Sequence, residues 1–226
     1  MKFKAIVLDI DGTITYENRR LNLRVAELLH TLDIPVVLAT GNISCYAQAA
    51  AKLIGLGGYV ISENGGIILT GYDAEPIVTD DIGECEKAFM FLSKHYDLTK
   101  LDPEFRKTEI ALGRDFDMDE ARALLKERNF EVEIIDTKYA IHIKSNKVNK
   151  STGLKIISKL MGLIPADFVA IGDSVNDAEM IRSAGLGITV ANGDAEAKKA
   201  ADHVTKASFG DGTVEAIEYL RSKSYI

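Results

Sequence analysis

The chain has 226 residues, of which 46% are hydrophobic and 27% are charged. This composition is ordinary for a globular protein, and the length allows a core domain with a smaller companion. The formal net charge of −7 disfavours general binding to nucleic acid or to anionic membranes. Cys45 and Cys85 lie in unrelated contexts, and no apolar run suits a signal peptide or a membrane span. We therefore expect a cytoplasmic protein that binds neither nucleic acid nor a membrane.

The first third of the chain alternates between apolar strands and helices. Residues 5–8 and 35–39 are continuous apolar runs, typical of buried strands in a parallel sheet. Helical spacing follows each run, over residues 21–32 and 43–54, and a third strand is predicted at 59–61. This rhythm predicts the α/β class, with a doubly wound, Rossmann-like parallel sheet.

The rhythm changes after Ser62. Asn64-Gly65-Gly66 is a turn signal, and the apolar pairs around it favour a hairpin over residues 67–69 and 77–78. The pattern then predicts a helix at 81–95, a strand at 105–112, a helix capped by Asp117, and alternating strands at 131–135 and 139–143. Residues 81–146 are therefore predicted to form a small α+β cap domain inserted in the larger fold.

The original rhythm returns after the inserted unit. It predicts a helix at 150–161, a strand at 168–171, a helix after Asp177, a strand at 187–190, and helices at 195–201 and 213–221. The core domain is accordingly predicted to comprise residues 1–80 and 147–226.

Carboxylates follow two of the predicted buried strands. Asp9 and Asp11 end the first, and Asp173 and Asp177 follow the strand at 168–171. Ligands of open α/β sheets bind outside the carboxyl ends of strands, so neighbouring strands would bring the four together. Such a cluster is unfavourable without a cation, and its oxygen ligands indicate Mg²⁺. The alternative is that each Asp serves a turn or a helix cap, as Asp177 alone would suggest.

Two further positions fit the same crevice. Thr40 and Gly41 end the second strand, where their polar groups would face the carboxylates; the alternative is a plain strand-to-helix turn. Lys150 opens a helix, where its charge opposes the helix dipole unless an anion lies nearby. The alternative for Lys150 is a solvated surface side chain.

Taken in order, these segments resemble the four motifs of the haloacid dehalogenase superfamily of phosphotransferases, and the resemblance covers essentially the whole chain. The first motif is Asp-x-Asp-Gly-Thr after a hydrophobic strand, the second a Thr or Ser, the third a Lys, and the fourth Gly-Asp-x-x-Asn-Asp. The matching residues are Asp9 to Thr13, Thr40, Lys150, and Gly172 to Asp177.

The inserted unit lies between the second and third motifs, which resembles the type II cap of the Cof-like phosphatases. Short chains of this pattern are similar to the archaeal-type phosphoglycolate phosphatases, and Thr40-Gly41-Asn42 also fits them. Many other relatives carry Arg after the Gly. The departure at Asn42 removes one cation that those relatives have.

The resemblance implies a phosphatase that forms an aspartyl-phosphate with the help of Mg²⁺. Asp9 would be the nucleophile, and Asp11 the general acid and base. The implied metal ligands are Asp9, Asp11 through its backbone carbonyl, Asp173 and Asp177. The implied phosphate-binding residues are Thr40, Gly41 and Lys150, with Gly12, Thr13 and Asn176 in support.

The resemblance suggests a small phosphate ester as substrate, with 2-phosphoglycolate first, and it leaves a homodimer open. A substrate carboxylate would favour a cation from the cap; Arg106, Arg114 and Lys144 are candidates, each otherwise a surface residue. Alternatives are a sugar-phosphate phosphatase or a phosphomutase of the same fold, and a non-catalytic module that receives phosphate. Glu63-Asn64-Gly65-Gly66 borders the pocket or forms only a hairpin turn.

Three other expectations concern residues outside the site. His142 lies on an alternating strand and is expected to face solvent. Phe89 and Met90 fall at helical spacing with Leu92 and are expected in the core, and Asp211 is expected to start the last helix.

Overall fold

The computed structural model describes residues 2–137 and 139–226. The strands are β1 (Ala5–Asp9), β2 (Val36–Ala39), β3 (Tyr59–Ser62), β4 (Ile67–Thr70), β5 (Ile77–Val78), β6 (Lys100–Leu101), β7 (Glu109–Leu112), β8 (Val132–Asp136), β9 (Ile141–Ser145), β10 (Phe168–Gly172), β11 (Leu186–Thr189) and β12 (His203–Val204). The helices are α1 (Leu23–His30), α2 (Ser44–Ile54), α3 (Gly83–Leu92), α4 (Met118–Glu127), α5 (Lys150–Leu160), α6 (Ala178–Ser183), α7 (Ala195–Ala200) and α8 (Phe209–Ser222). Of these helices, none has the length and apolar character to cross a membrane.

The larger sheet has the strand order β12-β11-β10-β1-β2-β3-β4-β5. Pairing is parallel from β12 to β3, and β4 and β5 add an antiparallel edge. The chain builds outward from β1 in both directions, which makes β1 and its neighbours the topological switch point where such sheets bind ligands. The predicted doubly wound α/β class is confirmed.

The central strands β1, β2 and β10 of the larger sheet are largely apolar and are buried on both faces. In β1, Ile6 and Leu8 point to a core shared with α1, α2 and α8. Ala5 and Val7, which point the other way, pack with residues of α5. This alternation of side chains between the two faces is the ordinary geometry of a strand. Burial on both faces holds the carboxyl end of β1 in a fixed position.

The smaller sheet has the order β6-β7-β9-β8 and is antiparallel throughout. One face packs on α3 and α4 through apolar residues that include Ile110 and Ile143. The opposite face carries Glu109, His142 and Lys144, all of them buried. We call residues 81–146, which include this sheet, the inserted segment; their division from the rest of the chain as a separate domain stays a prediction.

His142 and Met90 depart from the sequence expectations. The prediction that His142 faces solvent is wrong, because its side chain lies on the covered face of the small sheet and the residue is 3% exposed. The expectation of a core Met90 is also wrong, since α3 buries Cys85, Ala88 and Leu92 and leaves Met90 exposed. Phe89 packs against that core. Alternation and helical spacing identified the faces, but not which face another part of the chain would cover.

Two element boundaries also differ from prediction. The strand expected at 105–112 begins only at Glu109, because the backbone N–H groups of Lys107 and Thr108 donate to the Glu63 side chain instead of to a strand. The last helix begins at Phe209, which leaves Asp211 in its first turn. There Asp211 accepts a hydrogen bond from Asn22 Nδ2 at 2.8 Å.

Candidate active site

Lys150 lies at the centre of the site, between two carboxylates. Its Nζ donates to Asp9 Oδ1 and to Asp177 Oδ1, each at 2.6 Å, and its side chain is fully buried. Asn149, the N-cap of α5, accepts a hydrogen bond from Thr152 N and fixes the start of that helix. The alternative of a solvated surface lysine is therefore wrong. Lys150 links the end of β1 to the turn after β10.

Both carboxylate oxygens of Asp177 are engaged. Oδ1 accepts from Lys150, and Oδ2 accepts from the backbone N–H groups of Asp173 and Ser174, both at 3.0 Å. Gly172 makes room for this arrangement, because a Cβ there would lie 2.5 Å from Asp177 Cγ. Asp177 therefore closes the turn after β10 and holds the Lys150 ammonium.

Asp9, Asp173 and Asp177 form an acidic group whose oxygens lie within 4.8 Å of one another. Asp9 Oδ2 is buried and has no hydrogen-bond partner among the described residues. Burial, with repulsion from Asp177 and Asp173, raises the pKa of Asp9 well above its usual value, although Lys150 opposes the shift. A divalent cation would supply the missing partner and offset the repulsion. These oxygen-only donors fit Mg²⁺.

Gly12 and Thr13 hold the turn after β1 against the turn after β10. Gly12 has φ +90°, and a Cβ there would lie 2.7 Å from Asp173 Oδ2. Thr13 Oγ1 donates to Asp173 Oδ1 at 3.4 Å. Asn192 Nδ2 donates to Gly12 O at 3.0 Å and to Asp173 Oδ2 at 3.2 Å. The sequence interpretation missed Asn192, whose only signal is its place just after β11.

Asp11 lies beside the acidic group, and its carboxylate is held by Arg19, which the sequence interpretation missed, and by Asn42 of the predicted Thr40-Gly41-Asn42 segment. Arg19 Nε donates to Asp11 Oδ1 at 2.8 Å, and Asn42 Nδ2 donates to Asp11 Oδ2 at 2.6 Å. Arg19 has φ +64°, an uncommon conformation for a residue with a side chain. Its guanidinium also lies 4.9 Å from the centre of the Tyr139 ring in the inserted segment.

Thr40 and Gly41 are at the end of β2, as predicted, and line the same cavity as Asp9 and Asp11. Thr40 is buried, and its Oγ1 accepts a hydrogen bond from Asn42 N at 3.0 Å. All three residues of the segment Thr40-Gly41-Asn42 therefore line the cavity, and Asn42 also holds the Asp11 carboxylate.

The cavity lies between the two sheets and has a volume of about 120 Å³. Ligand pockets for drug-sized molecules are larger, at about 300–1,000 Å³. One wall comes from the ends of β1 and β2, and the other from residues of the inserted segment, which include Arg106, Thr137, Tyr139 and His142. The space suits a substrate of few atoms that touches both parts of the chain.

Glu63 and Asn64 join the large sheet to the inserted segment. Glu63 Oε2 accepts from Lys107 N at 2.9 Å and from Thr108 N and Oγ1 at 2.8 Å. Asn64 Nδ2 donates to Glu109 Oε2 at 2.8 Å, and its Oδ1 accepts from Asn176 Nδ2 at 2.9 Å. The segment is the turn between the antiparallel strands β3 and β4, as one of its two sequence interpretations has it, and neither Glu63 nor Asn64 is among the residues that line the cavity. Their side chains also contact the inserted segment, and they place Asn176 at the joint between the two parts.

The three basic residues that the sequence offered as cap cations lie in different surroundings. Arg106 is buried, lines the cavity, and donates through Nη1 to Gly41 O at 3.1 Å. Arg114 is half exposed and pairs with Asp136. Lys144 is buried, but it pairs with Glu133 and donates to the backbone carbonyls of Ser145 and Val148. Of the three, Arg106 alone is among the cavity-lining residues.

Carboxylates, a buried lysine and a small cavity with a second wall from the inserted segment lie together at the switch point of a doubly wound sheet, which is the arrangement of an enzyme site. A family model described as haloacid dehalogenase-like hydrolase matches residues 6–102 and 94–217. The chain belongs to this family, and the prediction of an enzyme of the phosphatase class is confirmed.

Relatives and solved structures agree with that assignment. The chain is 61% identical to a phosphoglycolate phosphatase of Methanosarcina mazei over 226 residues, all of both chains. A crystal structure from Thermoplasma acidophilum is similar in fold, with a TM-score of 0.88 and 22% identity over 98% of this chain and 99% of that one. A sugar phosphatase of haloacid dehalogenase subclass IIB has a TM-score of 0.80 and 19% identity over 99% and 100% of the two chains. These two structures bear on the fold.

Proposed function

We propose that this chain is a Mg²⁺-dependent phosphatase that hydrolyses 2-phosphoglycolate to glycolate and phosphate through a phospho-aspartate on Asp9. The observation that carries the proposal is the buried Asp9 carboxylate, which has one oxygen on Lys150 and the other without a hydrogen-bond partner among the described residues. Asp9 also lines the small cavity. The name of the M. mazei relative, at 61% identity, supports the choice of substrate.

The residues proposed to hold Mg²⁺ are Asp9 and Asp173, with the backbone carbonyl of Asp11 and with Asp177 in support. When bound, the ion would neutralise the carboxylates and a phosphate oxygen and so favour the approach of an anionic substrate. Asp177 already has both oxygens on protein donors. We therefore assign it mainly to the placement of Lys150 and of the turn that carries Asp173.

Asp9 is proposed to attack phosphorus and form the acyl phosphate while the alcohol leaves. Lys150 remains charged for this step: burial disfavours the charge, but Asp177 and Asp9 outweigh it and raise the pKa of Lys150 above its usual value. Its ammonium and the polar groups of Thr40 and Gly41 would bind the phosphate oxygens and stabilise the charge that develops on them.

Asp11 is proposed to protonate the leaving alkoxide and then to remove a proton from the water that hydrolyses the acyl phosphate. Arg19 and Asn42 would fix its carboxylate beside the nucleophile, because each donates to one Asp11 oxygen. The inserted segment provides the opposite wall of the cavity. A narrow cavity with two walls limits water around the phosphate and strengthens the electrostatic interactions within it.

The test is phosphate release from a panel of metabolite phosphates with Mg²⁺, with EDTA and with the Asp9→Asn variant. We expect release from 2-phosphoglycolate that EDTA abolishes and that the substitution lowers by roughly 10⁴-fold or more. Asp33→Asn is the matched control, since Asp33 is exposed. Release by Asp9→Asn at the wild-type rate would contradict the mechanism.

The same panel separates the alternative functions. A sugar phosphate that is hydrolysed faster than 2-phosphoglycolate would replace the proposed substrate. An isomerised sugar phosphate without net release of phosphate would indicate a phosphomutase. No turnover of any compound by the folded protein would overturn the hydrolase proposal.

A further inference from the structure

Arg106 is a buried cation in the wall of the cavity that the catalytic roles above leave unused. We propose that Arg106 binds the carboxylate of the substrate and so selects a phosphate ester that carries an acid group. The inference rests on the proposed function, because it concerns the non-phosphate end of the molecule bound at that site.

The acidic lining of the cavity disfavours a substrate with a second anionic group unless a basic side chain binds that group. The chain has a formal net charge of −7, and Asp9, Asp11 and Asp102 line the cavity. A dianionic phosphate already meets this field, and a second anionic group would add to the repulsion. A charged, hydrogen-bonding partner on the wall opposite Asp9 would offset that cost, and a guanidinium suits a carboxylate because its planar donors match the two oxygens.

The Arg106 side chain is held in place by its contacts, but not all of its guanidinium N–H donors have a hydrogen-bond partner among the described residues. It is 4% exposed, and its Nη1 donates to Gly41 O and pairs with Glu109 Oε1. Its Nε is buried and has no hydrogen-bond partner among the described residues. An unpaired buried donor of a charged group is unfavourable, so an acceptor that enters the cavity would gain more here than at an exposed arginine.

Glu109 positions Arg106 and shares its own charge among several donors. Its Oε1 also receives His142 Nδ1 at 2.7 Å, and its Oε2 receives Asn64 Nδ2 at 2.8 Å. Arg106 and His142 both line the cavity, whereas Glu109 does not. The Glu109 carboxylate therefore fixes two basic side chains in the cavity wall. This fixed placement reduces the entropy lost when a ligand carboxylate binds.

The other basic side chains fit this role less well. Arg19 lines the cavity too, but its Nε and Nη2 already donate to the Asp11 carboxylate. Arg114 and Lys144 pair with Asp136 and Glu133 and are not among the residues that line the cavity.

The test compares 2-phosphoglycolate with 2-hydroxyethyl phosphate, which has the same two-carbon chain but no carboxylate. We expect the wild type to prefer 2-phosphoglycolate in kcat/KM, and Arg106→Gln to lower that preference by roughly 10–100-fold, as for the loss of a hydrogen bond to a charged group. Activity on 2-hydroxyethyl phosphate should change little, which also reports that the variant is folded. Arg106→Lys keeps the charge without the planar donors and should fall between the two.

Arg114→Gln is the matched control and should leave the preference unchanged, since Arg114 is a half-exposed arginine of the same segment. An equal loss on both substrates in Arg106→Gln would place Arg106 on the phosphate and overturn the proposal. A collapse of the preference in Arg19→Gln, with Arg106→Gln unaffected, would move the carboxylate to the other wall. If Arg106→Gln does not fold, an equal wild-type rate on the two substrates still overturns the inference.

Failure of this inference is distinguishable from failure of the proposed function. A wild type that releases phosphate from neither compound contradicts the proposed function. A wild type that hydrolyses both with similar kcat/KM retains the phosphatase chemistry and contradicts only the role of Arg106.

Discussion

The two walls of the cavity are built on different physical principles. The first wall includes Asp9, which lies in a buried cluster with Asp173, Asp177 and Lys150 at the ends of parallel strands and the start of a helix; we call these four residues the floor. The second wall includes Arg106 and His142 of the inserted segment, both of which contact Glu109; we call these three residues, with Glu63 that contacts the segment from the large sheet, the roof. The floor has three carboxylates for one ammonium, whereas basic and acidic groups on the roof are nearly matched.

This difference indicates which residues would bind a cation and which residues hold the inserted segment against the large sheet. The floor has an excess of negative charge and, among the described residues, no hydrogen-bond partner for one Asp9 oxygen, so it is stabilised when a cation binds. The roof pairs its charges internally and with backbone N–H groups of the inserted segment, so it is stable when the two parts are in contact. We expect substitutions in the floor to alter catalysis and stability together, and those in the roof to alter closure and specificity.

The largest effect is expected for Lys150→Met, which removes the only ammonium of the floor. Asp9 and Asp177 would be left buried without their common partner, and removal of one member of a buried ion pair lowers stability by about 3–5 kcal/mol. Urea unfolding measures the free energy of unfolding, and phosphate release measures the activity, which should also be lost. Lys155→Met, an exposed position on the same helix, is the control; equal stability of the two variants would contradict the structural role of Lys150.

A smaller effect is expected for Glu63→Gln, which weakens the contact between the large sheet and the inserted segment. Glu63 Oε2 accepts three hydrogen bonds from Lys107 and Thr108. An amide oxygen is a weaker acceptor, and we expect a loss of about 1–3 kcal/mol. Hydrogen exchange should become faster at the amides of residues 107 and 108, with little change in β1. Glu75→Gln, at an exposed position, should change neither. Unchanged exchange at both amides would show that they are protected by something other than Glu63.

The roof should also depend on pH through Glu109. Burial raises its pKa, but His142, Arg106 and Asn64 outweigh burial and hold the pKa below the usual 4.5. A carboxylate with a lowered pKa in the folded state stabilises the fold fully above its unfolded pKa and loses that contribution as the pH falls through the folded value. The stability difference between the wild type and Glu109→Gln should therefore shrink as urea unfolding is measured from about pH 5 down to about pH 3. A difference that grows over this range would contradict the lowered pKa.

The smallest effect concerns the two thiols, one in the large-sheet part of the chain and one in the inserted segment. Cys45 in α2 is exposed, whereas burial, with Glu109 and Asp80 nearby, raises the pKa of Cys85 in α3 to about 12. Since the thiolate is the reactive form, we expect Cys45 to react with a disulfide reagent at once and Cys85 only after unfolding. Cys45→Ser should abolish the rapid phase. Two thiols that react at one rate in the native protein would contradict the buried environment of Cys85.

Much of the floor could be predicted from the sequence. Asp9 and Asp173 each follow an apolar run in the sequence. Because the ends of neighbouring parallel strands meet at one edge of a sheet, this local pattern was enough to predict where the carboxylates lie. The sequence interpretation made this convergence conditional on the two strands being neighbours, and the pairing of Val7 with Ala170 and of Leu8 with Ile171 meets that condition. The motif order identified Lys150 as a site residue, but nothing in the sequence predicted that its side chain is completely buried.

The roof could not be predicted in this way. Arg106 and Lys144 were both offered as cations for a carboxylate and as surface residues, and His142 was expected in solvent, because alternation along a strand gives two faces without saying what covers either. Their burial arises from contacts between residues more than 40 positions apart, such as Glu63 with Thr108 and Asn64 with Glu109.

The sequence by itself determined the class of fold, the order of its strands and helices, and the carboxylates at the end of β1 and after β10. Those features follow from apolar runs and turn residues, which act over a few positions along the chain. Only the tertiary structure decided that Arg19 and Asn42 hold Asp11, that Asn192 joins the two turns, and that Arg106 faces the cavity. Each depends on which groups meet once the whole chain is folded, and the place of Arg106 depends in addition on how the inserted segment packs against the large sheet. Such packing depends on the shape and charge of whole surfaces, which no local pattern records.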